Sequence, residues 1–373
     1  MLARFCYLGS ILVWLPMTRG SGMENKQPTR ILITRLSHIG DCILTLPVLS
    51  AIRAQYPKAF IAWAVESPSQ KLLQHHSDLD EIIMIPKGWM SQPKCWFQVA
   101  KKLRSFKFDI AIDPQGITKS SLLGWISGAR IRVGGRGRWG RELSTVLNNR
   151  LVETKYAHVV DRSLELLAAV GIQKDFLDSP RTGLPLCEQS VNRISAWISN
   201  AGLDEPFVVI NPGGSWASKR WEMNRYGEVA SYLKREYQLQ SVVVWASDEE
   251  LEMANVIHAV DPEASIIAPA TSLTELAALT SRSAFFIGGD TGPLHLAVSS
   301  GTPCVGLYGT TLPEESGAYG PEHLAIQKWY QAGSCRERRS AENDAMRDIH
   351  PSDVMEACDQ MIFKMGLKHR SVA

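Results

Sequence analysis

Short runs that are apolar at almost every position, rather than at every second one, recur along this chain and dictate its architecture. RILIT (30–34), FIAWAV (60–65), EIIMI (81–85) and FDIAID (108–113) come first; FVVIN (207–211), SVVVWA (241–246), SIIA (265–268), AFFIGG (284–289) and PCVGLYG (303–309) follow. A strand apolar on both faces must be covered on both, which is the condition of a parallel sheet between helices. Stretches with helical spacing lie between the runs, at 41–55, 188–201, 223–236, 248–260 and 292–299 among others. The rhythm predicts an α/β chain of two doubly wound parallel-sheet domains with a cleft between them. With 373 residues, 45% of them apolar, there is material for two cores.

The expected divisions are an N-terminal extension at 1–29, a first domain at 30–185, a second at 186–351, and a last helix at 352–373 packing back across the molecule. In the extension, Phe5 to Met17 is apolar but too short to span a bilayer, and no small-x-small cleavage pattern follows it. Translation beginning at Met23 is the favoured reading; a weak membrane anchor is its rival. Residues 128–150, with their many Gly and Arg, read as a basic loop region, and PRTGLPL (180–186) as a linker. Seven scattered cysteines without CxxC spacing fit a reducing compartment and offer no zinc framework.

Charge is unevenly divided. Residues 1–200 carry 26 Lys and Arg against 15 Asp and Glu, and residues 201–373 carry 14 against 23. The first half is therefore expected to meet an anionic partner.

Ligands of open α/β sheets bind at the carboxyl ends of the strands, and four loops there hold unusual residues. RLSHIGDCILTLP (35–47) offers Gly40 for close backbone approach and Asp41 at a helix start, either as a helix cap or as a general base. It lacks GxGxxG, which removes the fingerprint of a nicotinamide-dinucleotide enzyme. NPGGSWASKRW (211–221) combines Gly213, Gly214, Ser215, Ser218 and Lys219, a phosphate-gripping composition without the Walker spacing. In GGDTGPLHLA (288–297) the N–H groups of Thr291 and Gly292 open a helix and favour an anion. There Asp290 is expected to accept from sugar hydroxyls, with His295 one turn on. In WASDEELEMA, Glu249 or Glu250 either binds ribose hydroxyls or serves the helix dipole. Asp78-Leu79-Asp80 reads as a chance DxD, and His75-His76 as an exposed pair without metal spacing.

Together these pieces resemble the bacterial lipopolysaccharide heptosyltransferases, glycosyltransferase family 9. The likeness rests on RILITRLSHIGDCILTLPVLSAIR, IDPQGITKSSLL, NPGGSWASKRW and GGDTGPLHLAVSSGTPCVGLYG, and spans about residues 30–365. It implies a GT-B fold, in which two Rossmann-like domains face each other across a cleft, the first binding the acceptor and the second an ADP-heptose donor. It implies metal-independent transfer with inversion and no cofactor. Asp41 falls on the proposed base. Ser215, Lys219, Glu249 or Glu250, Asp290, Thr291, Gly292 and His295 fall on nucleotide-sugar positions, and Ser37, Gln115, Gly116, Lys119, Ser120 and Arg141 on the acceptor side. The implied partners are ADP-heptose and an anionic lipopolysaccharide inner-core acceptor, with no nucleic acid. The implied place is the cytoplasm, with peripheral contact at the inner face of the inner membrane. The alternatives are a nucleotide-sugar 2-epimerase of similar fold, a transferase of the same family using another sugar, and a non-catalytic nucleotide-sugar-binding protein.

Overall fold

The computed structural model describes residues 29–74, 76–172, 183–203 and 205–367, so the 1–28 segment, His75 and part of the expected linker lie outside the described residues. Within them, strands β1 (Arg30–Thr34), β2 (Phe60–Val65), β3 (Glu81–Met84), β4 (Ile110–Asp113), β5 (Ile131–Gly135) and β6 (Arg150–Val152) form one sheet. Strands β7 (Val208–Asn211), β8 (Ser241–Val243), β9 (Ser265–Ile267), β10 (Phe285–Gly289), β11 (Cys304–Leu307) and β12 (Leu324–Ile326) form the other. The strand orders are β3-β2-β1-β4-β5-β6 and β9-β8-β7-β10-β11-β12, the same order twice. Every strand pairing is parallel. Each sheet reverses its winding once, between β1 and β4 and between β7 and β10, and at such switch points a crevice opens beyond the strand ends.

The helices that matter below are α1 (Ile39–Ile43), α2 (Leu46–Gln55), α3 (Pro93–Ser105), α4 (Thr118–Ile126), α5 (Ser144–Leu147), α6 (Val159–Glu165), α7 (Met223–Tyr237), α8 (Asp248–Val260), α9 (Gly292–Ser299) and α10 (Pro351–Lys364). Alternate residues of each strand feed opposite faces. In β1, Leu32 packs outward with Val99 and Leu103 of α3 and Leu123 and Ile126 of α4. Ile31 and Ile33 turn inward into a cluster that continues through Phe207 and Val209 to Leu294 and Leu296 of α9. One apolar mass therefore joins the two halves on their facing sides.

Three expectations are corrected. Residues 128–150 are not merely loop: they contain β5, α5 and the start of β6. The strand RVGG hides itself because Gly134 and Gly135 bring no apolar bulk; Asn148 and Trp139 press on them instead. The 41–55 stretch is two helices, α1 and α2, since Pro47 supplies no N–H and the helix restarts at Leu46. Among the described residues the last helix does not return across the molecule. Val354, Cys358, Met361 and Ile362 of α10 share a cluster with Val229 and Leu233 of α7 and with Val305 and Leu307 of β11, closing a face of the second sheet.

Candidate functional site

At the β1/β4 switch point the chain leaving β1 places Arg35 with only 6% exposure. Its Nη2 meets Asp41 Oδ1 at 2.8 Å, and its Nη1 donates to the Pro114 carbonyl at 3.1 Å. The capping alternative for Asp41 is removed: His38 is the N-cap of α1, while the Asp41 side chain lies 39% exposed on the Arg35 guanidinium. Gln115 Oε1 accepts from the Leu36 N–H at 2.9 Å, so this side chain laces the β4 loop to the β1 loop. Ser37 is half-buried in the bend between them.

The acceptor-side loop is held from below. Asp113, fully buried, accepts from Ser121 Oγ at 2.6 Å, from the Gly116 N–H at 3.0 Å and from Asn148 Nδ2 at 3.2 Å. Burial pushes its carboxyl above the ordinary range, and those bonds work against the shift. Gly116 has φ +64°, and a Cβ there would stand 2.1 Å from the Trp139 carbonyl, so no other residue fits this turn. Lys119, in the first turn of α4, is ion-paired with the buried Glu66. Arg141 is exposed and donates its backbone N–H to the Gly116 carbonyl at 2.9 Å.

At the β7/β10 switch point, Lys219 Nζ donates to Asp290 Oδ2 at 2.9 Å and to the Asp290 carbonyl at 3.0 Å. Asp290 Oδ1 accepts from His295 Nε2 at 3.2 Å. Burial alone would raise the Asp290 carboxyl; the His295 hydrogen bond and the Lys219 charge overcome it and hold the group well below the carboxylate range. Both oxygens of Asp290 are thus engaged in orienting Lys219 and His295. Thr291 is the N-cap of α9, its Oγ1 accepting from Asn211 Nδ2 at 3.4 Å, and Gly214 lies alongside it. Ser215 is exposed at the tip of the loop. The two acidic candidates separate. Glu249 is held by Arg220 at 2.5 and 3.2 Å. Glu250 accepts from the Ala246 N–H at 2.9 Å and spreads its carboxylate over Gly213.

The two crevices meet. A Cβ on Gly40 would stand 2.6 Å from His295 Cδ2, so the backbone beside Asp41 lies directly against the ring that orients Asp290. Farther along the same seam, Tyr319 Oη donates to Asp161 Oδ1 at 2.6 Å, His158 Nε2 donates to the Gly317 carbonyl at 3.2 Å, and Arg138 faces Glu315 at 3.5 Å.

Sequence reading missed several residues here. Arg162 stacks on Trp139 at 3.4 Å. Burial lowers it to about 10, opposed by Glu315 and reinforced by Arg138 and Arg35, so three arginine charges feel one another at this seam. Lys219 and Arg339 each lie over the Trp216 ring, 4.7 and 5.1 Å from its centre. Only the density of Arg in 130–141 hinted at the first group; nothing hinted at the second. The dismissed histidine pair also needs a correction. His76 is buried and its Nδ1 accepts from the Asp78 N–H at 3.2 Å, which fits a loop-closing role. Among the described residues no group of three or more His, Cys, Asp or Glu could hold a metal ion, and no helix is long and apolar enough to cross a membrane.

Comparison with known proteins adds an independent line. The family model for glycosyltransferase family 9 (heptosyltransferase) matches residues 96–346. The lipopolysaccharide core heptosyltransferase OpsX of Haemophilus influenzae is 28% identical over 301 residues, covering 78% of this chain and 82% of that protein. A crystal structure of a family 9 glycosyltransferase from Veillonella parvula superposes with a TM-score of 0.77 at 25% identity, over 90% of this chain and 97% of that one. The Escherichia coli ADP-heptose heptosyltransferase II gives a TM-score of 0.70 at 21% identity, over 91% and 99% of the two chains.

Proposed function

The chain belongs to glycosyltransferase family 9, the heptosyltransferases, and from that premise we propose that it moves heptose from ADP-heptose to an anionic lipopolysaccharide inner-core acceptor on the cytoplasmic side. The observation that carries the proposal is the meeting of the two switch points: a carboxylate, Asp41, on one side of the Gly40–His295 contact, and the Lys219–Asp290 pair with the α9 N-terminus on the other.

Displacing ADP puts negative charge on its terminal phosphate while the anomeric carbon gains oxocarbenium character. Lys219 and the N–H groups opening α9 are aimed to neutralise the departing phosphate, a task that a fixed cation and helix terminus perform without reorganising. Asp290 acts by fixing Lys219, and Arg339, stacked on Trp216, adds a nearby cation. Glu250, lying over Gly213, is the acidic residue in place for the ribose hydroxyls; Glu249 is committed to Arg220.

On the opposite face Asp41 accepts the proton of the acceptor hydroxyl as its oxygen bonds to the anomeric carbon and the bond to ADP breaks, giving inversion. Transfer to this carboxylate is late, when the attacking oxygen has become acidic. Arg35 keeps the carboxylate oriented, and the cluster Arg35, Arg138 and Arg162 suits an acceptor rich in phosphate or carboxylate. No metal takes part in this scheme. The epimerase and binding-protein alternatives lose ground because the family is one of transferases.

A panel of ADP-, GDP- and UDP-sugars screened by thermal shift tests the donor assignment, since a ligand of the native state raises stability by mass action. ADP-heptose is expected to give the largest rise. A larger rise with a GDP- or UDP-sugar refutes the donor.

A further inference from the structure

The seam between the halves holds two firm contacts and a loose one. Tyr319 Oη donates to Asp161 Oδ1 at 2.6 Å, with its ring 4.8 Å from that of His158, and His158 Nε2 donates to the Gly317 carbonyl at 3.2 Å. These fix the loop that contains the turn Pro313–Ser316, from the second half, against α6 of the first. The Ala318 N–H donates to Tyr308 Oη at 3.0 Å and ties the same loop back to the end of β11. The loose contact is the one with charge. The docked turn carries Glu315 to Arg138, Oε1 standing 3.5 Å from Nη2, longer than a well-formed hydrogen bond. Their side chains are 34% and 66% exposed, and an exposed ion pair of this kind is weak.

What Glu315 meets belongs to the acceptor side. Arg138 and Arg162 both lie over the Trp139 ring, 4.2 and 3.4 Å from its centre, so one indole holds two guanidinium groups. The Trp139 carbonyl closes on Gly116 of the acceptor-side loop. Burial weighs against the Arg162 charge, and Glu315 is the foremost group upholding it. A pair of cations that calls for an anion therefore holds a weakly bound one, supplied by the opposite half. A phosphate, with more charge and more acceptor oxygens than a carboxylate, suits two planar guanidinium forks better. We propose that Glu315 is the gate of the acceptor site: its carboxylate keeps the place of an acceptor phosphate beside Arg138 and Arg162 and yields it when the acceptor enters. An acceptor that brings no phosphate there has nothing with which to displace Glu315, so the residue sharpens selection for the phosphorylated form. By linkage, an anion on the arginine pair loosens this contact between the halves, while the Tyr319–Asp161 and His158–Gly317 contacts keep the seam together. The inference rests on the proposed reading of this side of the cleft as the acceptor's.

The test uses the full-length protein with ADP in excess. Inorganic phosphate is titrated first, because it probes the cations without calling on the acceptor, and the rise of the thermal transition reports its binding. Glu315→Gln should raise the apparent phosphate affinity roughly twofold to fivefold, the range open to an exposed ion pair. Glu314→Gln, exposed and one position away, changes net charge equally and should change nothing. With Arg138→Gln in place, the gain from Glu315→Gln should shrink. A de-acylated inner-core saccharide bearing phosphate, and the same saccharide after phosphatase treatment, are then compared in the transfer assay. In Glu315→Gln the KM for the phosphorylated form alone should fall by a similar factor. Phosphate affinity that is unchanged or weaker in Glu315→Gln overturns the gate. So does an equal gain in Glu314→Gln, a gain of full size without Arg138, or an equal fall in KM for the phosphatase-treated saccharide. A gain with inorganic phosphate that neither saccharide reproduces upholds Glu315 as the anion on the arginine pair and refutes the acceptor reading instead.

Discussion

Lys219→Met separates two roles that the structure assigns to one ammonium. Lys219 is 14% exposed and Asp290 7%, so the ion pair is largely dry. Removing the cation leaves the Asp290 carboxylate with His295 as its remaining partner for a buried charge. Breaking one side of a buried pair costs about 3–5 kcal/mol. At ~2–4 °C per kcal/mol for a chain of this class, a fall in Tm on the order of 6–12 °C is expected at the lower figure. Catalysis should fall separately: losing one preorganised donor to a developing oxyanion costs about 10²–10³ in kcat. The double variant Lys219→Met, Asp290→Asn distinguishes the two effects, because neutralising both partners removes the stranded charge. Its Tm should recover most of the loss while kcat stays low, a non-additive cycle in stability alone. The assays are differential scanning calorimetry and ADP release with ADP-heptose and acceptor. Recovery of kcat in the double variant would refute the assignment of the cation to the leaving phosphate. An unshifted Tm in Lys219→Met would refute the buried pair.

Asp41→Asn should lower kcat by roughly 10²–10⁴ while calorimetric ADP affinity stays within error; a parallel loss of ADP affinity would give Asp41 a structural role instead. Gly40→Ala puts a methyl 2.6 Å from His295 Cδ2 and should cost about 1–3 kcal/mol of closure, read as a loss of kcat/KM that His295→Ala partly restores. EDTA should leave the initial rate of transfer unchanged, and a rate restored only by added divalent cation would contradict the proposed neutralisation by Lys219. His158 is held neutral, its Nδ1 accepting from the Val160 N–H and its Nε2–H donating to the Gly317 carbonyl. Burial lowers it from 6.5 against the pull of the Gly317 bond and Asp161. The unfolded chain therefore binds the proton more readily, so this group's contribution is complete above the ordinary histidine range and is lost as pH falls through and below it. Thermal scans from neutral to mildly acid pH should show a smaller drop in His158→Gln than in wild type; an equal drop would put the acid sensitivity elsewhere.

What could be read from the sequence follows from what each signal depends on. The central strands announced themselves because β1, β2, β7 and β10 are buried on both faces and so are apolar throughout. The edge strands β6 and β12 are half-exposed and only three residues long, so neither periodicity nor hydrophobic run marks them. Proline at 47 punctuates α1 and α2, but its effect depends on a register that periodicity alone blurs. At the site, residue types were legible because strand-end loops have few reasons to hold Gly, Asp and Lys together. Partnerships were not. Asp290 finds Lys219 across 71 positions, and Glu249 finds Arg220 across 29, through the β7/β10 crossover and the packing of α8. Composition cannot encode that choice: Asp290 reads as a sugar ligand, and only the fold adds that its two oxygens also hold a lysine and a histidine. The Arg138–Arg162 seam depends on closure of the halves, which no local pattern carries.

One crystal structure with ADP bound tests the arrangement of the two switch points most directly. The diphosphate is expected within hydrogen-bonding distance of Lys219 Nζ and the N–H groups opening α9, with the Asp41 carboxylate facing the sugar side of the terminal phosphate across the Gly40–His295 contact. Diphosphate seated away from Lys219, or Asp41 turned from the cleft in the closed form, would contradict it.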